Sequence, residues 1–215
     1  MPPPEPKSST TSPGFNCASV ESPKICYDTP KRISNPNIPC QLFCVHSQIP
    51  YHGSMLTIRP ADLGDTVSIW AIIEPVIRAG DTYTLRRDMS REAALAYWFA
   101  DNHEVFVAED GGQIVGTYYL RPNQQGGGSH VANCGYITAP AFTGKGVARA
   151  MCTHSLEHAR KRGYHAMQFN FVVQTTQRAL LLWQSLGFQT IGRLPRAFLH
   201  PTTGYTDAYI LYRSL

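Results

Sequence analysis

Residues 139–152 read APAFTGKGVARAMC, in which Gly144 and Gly146 flank Lys145 and Arg149 follows three residues later. A helix that starts after this pair has unpaired N–H groups and the positive end of its dipole at the start, a combination that attracts anions. Glycine at 144 and 146 removes side chains that would hold a phosphate away from those groups. Lys145 and Arg149 add charge at the rim, and a diphosphate suits the arrangement. A plain glycine turn opening a helix explains the same residues, and both readings stand at this point. The stretch lacks the G-x-x-x-x-G-K-[ST] spacing of a P-loop and the G-x-G-x-x-G of a dinucleotide fingerprint.

Other residues carry chemistry less directly. Asn133 lies on the run that leads into the glycine stretch, and Asn170 stands amid the apolar QFNFVV. A buried amide needs hydrogen-bond partners, so each is either a satisfied structural residue or a group aimed at a ligand. His130 follows QQGGGS, and an imidazole there reads either as a base or as an exposed bystander. Glu109 ends a strand and reads as solvated. Arg121, Arg193 and Arg196 have the forked donors that bind a carboxylate, and each reads equally as a surface charge. HSLEH (His154, Glu157, His158) fits an inverted zinc-protease pattern. Both histidines are expected toward solvent with no third ligand, so no metal is expected.

Strands and helices that would position these residues alternate from residue 55 onward. LTIRPA is a short strand, and Asp62 can cap a helix whose period is set by Val67, Trp70, Ala71 and residues 74–77, with Pro75 shortening or kinking it. Ser90 caps a second helix bearing Ala94, Leu95, Trp98 and Phe99. EVFVAED and QIVGTYYLRP form a hairpin over Gly111-Gly112. HVANCGYITAP is the next strand, and the helix after the glycines carries a stripe of Ala148, Met151, Cys152, Ser155, Leu156 and Ala159. A strand AMQFNFVV, a helix over about 176–186 and two last strands around Ile191 and 209–212 complete the order. It reads β-α-α-β-β-β-α-β-α-β-β, a mixed α/β sheet with helices on both faces and one right-handed parallel crossover.

Composition narrows the classes. The chain has 215 residues, 43% hydrophobic and 16% charged, with a formal charge of +4. That suits a globular protein with an anionic small ligand; there is no basic stripe for nucleic acid and no apolar run able to span a bilayer. Residues 1–54 are rich in Pro, Ser and Thr and hold Cys17, Cys26, Cys40 and Cys44, with Cys134 and Cys152 further on. This segment is expected to be disordered, and to be non-native upstream sequence, with one domain over 55–215. Irregular cysteine spacing and the lack of a secretory signal point to free thiols and a cytoplasmic location.

YITAPAFTGKGVARAM and TTQRALLLWQSLGFQTIGRLP, in this order, resemble the GNAT superfamily of acetyl-CoA-dependent N-acetyltransferases over residues 55–215. The resemblance implies a largely antiparallel mixed sheet splayed at the cofactor site. It implies that backbone groups of Tyr136, Ile137 and Thr138 pair with the pantetheine arm. The N–H groups from Thr143 through Gly144, Lys145, Gly146 and Val147 to Ala148 would cradle the pyrophosphate, with Arg149 adding charge and Thr176 and Gln177 near the cofactor's lower arm. Thr143 stands where the family has Arg or Gln, Thr176 where it has Asn, and Trp183 where it has a Tyr that protonates the departing thiolate; an indole N–H cannot supply that proton. ANCGY and FNFVV also resemble segments of a fungal branch that acetylates proline analogues, which implies that Asn133 and Asn170 hold substrate and the thioester carbonyl. The implied function is direct acetyl transfer in a ternary complex to a small-molecule amine, such as an amino acid, an analogue or a toxin. A protein acceptor and a non-catalytic acyl-CoA sensor are the alternatives, and a homodimer through the last strands is a candidate assembly.

Overall fold

The elements are β1 (Ser47–Tyr51), β2 (Ser54–Pro60), α1 (Thr66–Ala79), α2 (Arg91–Trp98), β3 (Glu104–Asp110), β4 (Gln113–Pro122), β5 (Val131–Thr138), α3 (Val147–Lys161), β6 (Ala166–Val173), α4 (Gln177–Ser185), β7 (Gln189–His200) and β8 (Gly204–Ser214). This computed structural model describes residues 47–51 and 54–215, with side chains from residue 56, and all of them fall in one unit. From β2 onward the order is the expected one. The strands form one sheet in the order β1-β2-β3-β4-β5-β6-β8-β7. Every neighbouring pair is antiparallel except β5 and β6, which are joined through α3.

Most of the segment expected to be a disordered leader, including its four cysteines, lies outside the described residues. Its end does not: β1 pairs with β2 from Ser47↔Ile58 to Tyr51↔Ser54. The boundary expected at Met55 is therefore corrected, since Met55 lies inside β2 opposite Pro50. β1 is at the sheet edge, where a proline costs no ladder bond on the open side, so a Pro-containing run could be strand after all.

Side-chain alternation divides the core between the two faces of the sheet. Tyr118, Leu120, Ala132, Cys134, Met167 and Phe169 meet Met151 and Leu156 of α3 and Leu180 and Trp183 of α4. On the other face Val107, Tyr119 and Ile137 meet Ile69, Ile72, Ile73 and Ile77 of α1 and Trp98 of α2. Of the expected α1 stripe, Ile77 is buried and Trp70 and Val76 are partly buried against this core, but Ile69, Ile72 and Ile73 lead it, and Val67 is 63% exposed. The phase shifts because Asp62 caps a separate 3-10 turn, Leu63–Asp65, in a reciprocal box with Asp65, and α1 starts only at Thr66. Pro75 does not end the helix. Pro75 and Ala71 both face outward, so the carbonyl that Pro75 leaves unbonded can be hydrated.

The expectation that both α3 histidines face solvent is also corrected. His154 is buried, with Nδ1 2.6 Å from the Tyr118 hydroxyl. His158 pairs with Glu104 at 2.9 Å. The α3 face is wider than its apolar letters, because the buried Tyr118 hydroxyl needs a polar partner and His154 supplies it. Burial first, and the neighbouring His158 second, lower the His154 pKa to about 4.

A buried relay fixes α2 on the sheet. Trp98 Nε1–H donates to Thr117 Oγ1 at 3.1 Å, and that hydroxyl donates to the Phe106 carbonyl at 2.9 Å. Thr117→Val keeps the shape and orphans the indole N–H, so urea denaturation should show a loss of about 1–3 kcal/mol. His154 gives a pH signature. As pH falls below 6.5 the unfolded chain takes up a proton that the folded chain refuses until about 4. Stability should fall by about 2 kcal/mol between pH 7 and pH 5, and His154→Gln should remove that slope in denaturant titrations.

Candidate functional site

β5 and β6 pair only at Val131↔Ala166 and Ala132↔Met167, and beyond these rungs they part. At the two ends of β5, Asn123 N–H bonds the Val131 carbonyl and Ala139 N–H bonds the Val115 carbonyl. In an antiparallel ladder this alternation turns the backbone groups of Asn133, Gly135 and Ile137 to β4 and those of Cys134, Tyr136 and Thr138 into the gap. Tyr136 and Thr138 thus face the gap as expected. Ile137 does not: its backbone faces Thr117 on β4 and its side chain is buried beneath α1. The Tyr136 carbonyl accepts a hydrogen bond from the Tyr83 hydroxyl at 3.0 Å.

The gap is held at its base by Asn133. Its Nδ2 donates to the Gln168 carbonyl at 2.8 Å, capping a β6 carbonyl that a continued ladder would have paired. Asn170 Oδ1 accepts from Gln168 Nε2 at 2.8 Å, and its Nδ2 donates to Asn123 Oδ1 at 2.7 Å. These bonds fix both amides in orientation, and each NH₂ keeps a second N–H.

At the far end of β5 the chain makes a 3-10 turn at Pro140–Phe142 and enters α3 through the glycines. Gly144 has φ 83° and Gly146, the α3 N-cap, has φ 94°, a region that only glycine enters freely. Thr143 and Lys145 spend their N–H groups on Pro140 and Phe142 carbonyls. Of the six N–H groups expected to meet an anion, those of Gly144, Gly146, Val147 and Ala148 are left for one. Lys145 Nζ lies 4.4 Å from the Phe142 ring centroid, and Arg149 donates to Ser185 Oγ at 2.9 Å. A β-carbon at Gly144 would come within 2.9 Å of Arg178 Nη2. Arg178, the second residue of α4, thus brings a cation to the loop that spacing alone did not reveal. Thr176 is the α4 N-cap position and Gln177 its first residue.

A cavity of about 500 Å³ fills the gap between the two ends. Its walls include Tyr136–Thr138, Thr143, Asn133, Asn170, Val172, Thr176 and Trp183. On the α1 side they include Thr82, Tyr83, Tyr97, Tyr119 and Arg121, none of which was expected here except Arg121 as one of three candidates. The first four come from the α1–α2 connection, α2 and a neighbouring strand, where periodicity says nothing about which way a loop tyrosine turns. Tyr97 and Tyr119 hydroxyls lie 3.2 Å apart. Burial raises the pKa of Tyr83, Tyr119 and Tyr136. Tyr136 hydroxyl sits 2.7 Å from Ser155 Oγ beneath α3, so it is poorly placed and poorly acidic as a proton donor.

Other candidates lie apart from this cavity. His130 is exposed, with Nδ1 3.1 Å from the Gly127 carbonyl. Glu109 pairs with Arg59 at 3.2 Å. Arg193 pairs with Asp207, whose other oxygen accepts the Arg196 backbone N–H at 2.8 Å, while the Arg196 guanidinium lies over Tyr205. Among the described residues no three His, Cys, Asp or Glu side chains come together as a metal set. No described helix is long and apolar enough to cross a membrane.

Comparison with known proteins gives the same assignment from an independent side. The model of the Acetyltransferase (GNAT) family matches residues 70–188. N-acetyltransferase aca1 of Schizosaccharomyces pombe is 34% identical over 98 residues, 45% of this chain and 47% of that protein, so the match spans about half that relative's length. The structure of a GCN5-related N-acetyltransferase from Kribbella flavida is 37% identical, with TM-score 0.71, over 74% of this chain and 98% of that one. The fold is shared with yncA, a putative acetyltransferase from Salmonella typhimurium solved with its cofactor acetyl-CoA, at 22% identity and TM-score 0.67 over 74% of this chain and 94% of that one. A splayed β5–β6 pair, a glycine loop at its open end and a family match across both together establish that this chain belongs to the GNAT acetyltransferase family.

Proposed function

We propose that this chain is an N-acetyltransferase that carries the acetyl group of acetyl-CoA to the amine of a small molecule by direct attack in a ternary complex. The observation that carries this reading is the cavity of about 500 Å³ into which the unpaired edge of β5 opens. Backbone groups turned into a gap without a strand partner fit an extended amide-bearing chain, and pantetheine is one. Tyr136 and Thr138 would hold that arm, the Tyr136 carbonyl through its second lone pair. The N–H groups of Gly144, Gly146, Val147 and Ala148 would hold the pyrophosphate, with Lys145, Arg149 and Arg178 as counter-charges. Thr143, Thr176 and Gln177 would border the arm.

Acetyl-CoA supplies an activated acyl group as its thioester. The chain's own part is placement and charge stabilisation. The free N–H of Asn133 would donate to the thioester oxygen as negative charge builds there, and Asn170 would orient the amine. Trp183, buried against Phe169 and Tyr136, would shape the thioester site and exclude water. It gives up no proton, so the proton that the attacking amine loses would pass to the departing thiolate, directly or through water. The name of the aca1 relative and the acetyl-CoA bound to yncA support the reaction type and the donor. The cavity's volume of about 500 Å³ is within the range of small-molecule sites. No metal, nucleic acid or membrane takes part in this proposal, and the free buried thiols of Cys134 and Cys152 accord with a cytoplasmic setting. A homodimer would form along the edge strand β7, where Ile191 and Leu199 are exposed.

A thiol-release assay with acetyl-CoA, run against amino acids and their analogues, polyamines and antibiotic amines, tests the proposal. At least one small amine should be acetylated. Asn133→Ala and Asn170→Ala should each cut turnover by about 10²-fold, while coenzyme A affinity by calorimetry stays within about threefold. Coenzyme A binding with no turnover across the panel would contradict the enzyme reading. Lost affinity with unchanged turnover would overturn the two asparagine roles.

A further inference from the structure

The acceptor side of the cavity holds an unbalanced charge. Arg121 lies on β4 directly opposite Asn133, so both side chains stand on the α1 face of the sheet at the base of the gap. Its Nε is buried and has no hydrogen-bond partner, and no ion pair to Arg121 is formed among the described residues. Thr82 Oγ1, in the same cavity wall, is also buried without a partner. The described residues that line the cavity include no Asp, Glu, His or Lys, so the guanidinium is the cavity's one formal charge.

A buried Nε–H without a partner is costly, and a half-buried guanidinium in a folded protein is otherwise paired. The other arginines weighed for this role are engaged elsewhere, Arg193 with Asp207 and Arg196 over Tyr205. Arg121 has no such neighbour. The same cavity wall holds neutral donors: the Thr82 hydroxyl, and the Tyr97 and Tyr119 hydroxyls 3.2 Å apart, one of which can donate to the other and leave a hydrogen free. A forked cation in a cavity that also presents hydroxyl donors matches an oxyanion with two acceptor oxygens.

We infer that Arg121 is the specificity-determining residue of the acceptor site and binds a carboxylate carried by the same molecule as the reacting amine. This rests on the acyltransfer reading above and extends it to the acceptor's second functional group. Because Arg121 and Asn133 are opposed across the ladder, the carboxylate and the thioester carbonyl would be held on neighbouring positions of one sheet face. The amine would then lie between them, which suits a short spacing between amine and carboxylate.

The test uses matched acceptors, a set of amino acids and the carboxamide of each, with the wild-type chain and Arg121→Gln. For wild type, kcat/KM should favour the acids. In Arg121→Gln it should fall on the order of 100-fold for the acids, chiefly through KM, and change less than about threefold for the carboxamides. A second readout needs no turnover: millimolar amino acid should raise the melting temperature of wild type and leave that of Arg121→Gln unchanged. Without ligand the variant should melt at the wild-type temperature or above, since it loses an unpaired charge; a clear drop would mark Arg121 as structural and overturn the inference. Equal use of acids and carboxamides by both proteins would overturn it while leaving the acyltransfer reading intact. If coenzyme A binds, no acceptor of either kind reacts and no amino acid shifts the melting temperature, both readings fall.

Discussion

The chain depends on a separation that a sheet does not ordinarily permit. Two parallel strands start a ladder, make two rungs and then part, leaving backbone donors and acceptors inside the fold without a strand to meet them. Each orphaned group costs about 1–3 kcal/mol if it stays dry. Asn133 offsets the first of these by capping the Gln168 carbonyl, and Tyr83 serves the Tyr136 carbonyl from the far side of the gap. The remaining groups, with the cavity between them, are what a ligand can use.

The two faces of the sheet then take different tasks. On one, α3 and α4 bury the apolar side chains of β4, β5 and β6, and the glycine loop at the start of α3 leaves N–H groups free beside Lys145, Arg149 and Arg178. On the other, α1 and α2 pack on alternate residues of the same strands, and the Trp98–Thr117 relay holds α2 close enough for Tyr97 to reach the cavity wall. Side chains from the two layers thus meet at the gap. Asn133 belongs to both tasks, because one N–H bridges the parted strands and its side chain lines the cavity.

Much of this was legible in the sequence. Strong alternation in EVFVAED and YITAP, the Gly111-Gly112 turn and the helical stripe after Gly146 carried the element order, since they are local patterns with one packing solution. The glycine loop was legible for the same reason. What depended on three-dimensional neighbours was not. α1 is apolar on more than one side, so its phase followed from the Asp62–Asp65 turn and not from its letters. His154 looked polar and outward until a buried Tyr118 hydroxyl required it. Ile137 and Tyr136 are adjacent in sequence, and only the ladder phase decides which one turns its backbone to the gap. Thr82, Tyr83 and Tyr97 reach the cavity from elements far away in sequence, and Arg121 became distinct from Arg193 and Arg196 only once their partners were known.

The most direct measurement is amide hydrogen exchange across the chain with and without coenzyme A. The backbone of Tyr136 and Thr138 and the N–H groups of Gly144 and of residues 146–148 should gain protection together, with the β4-facing Ile137 little changed. Protection gained elsewhere, such as the groove between α3 and the end of α4 lined by Thr153, Arg160 and Arg213, with no change along β5 and the glycine loop, would contradict the assignment of the gap as the coenzyme site.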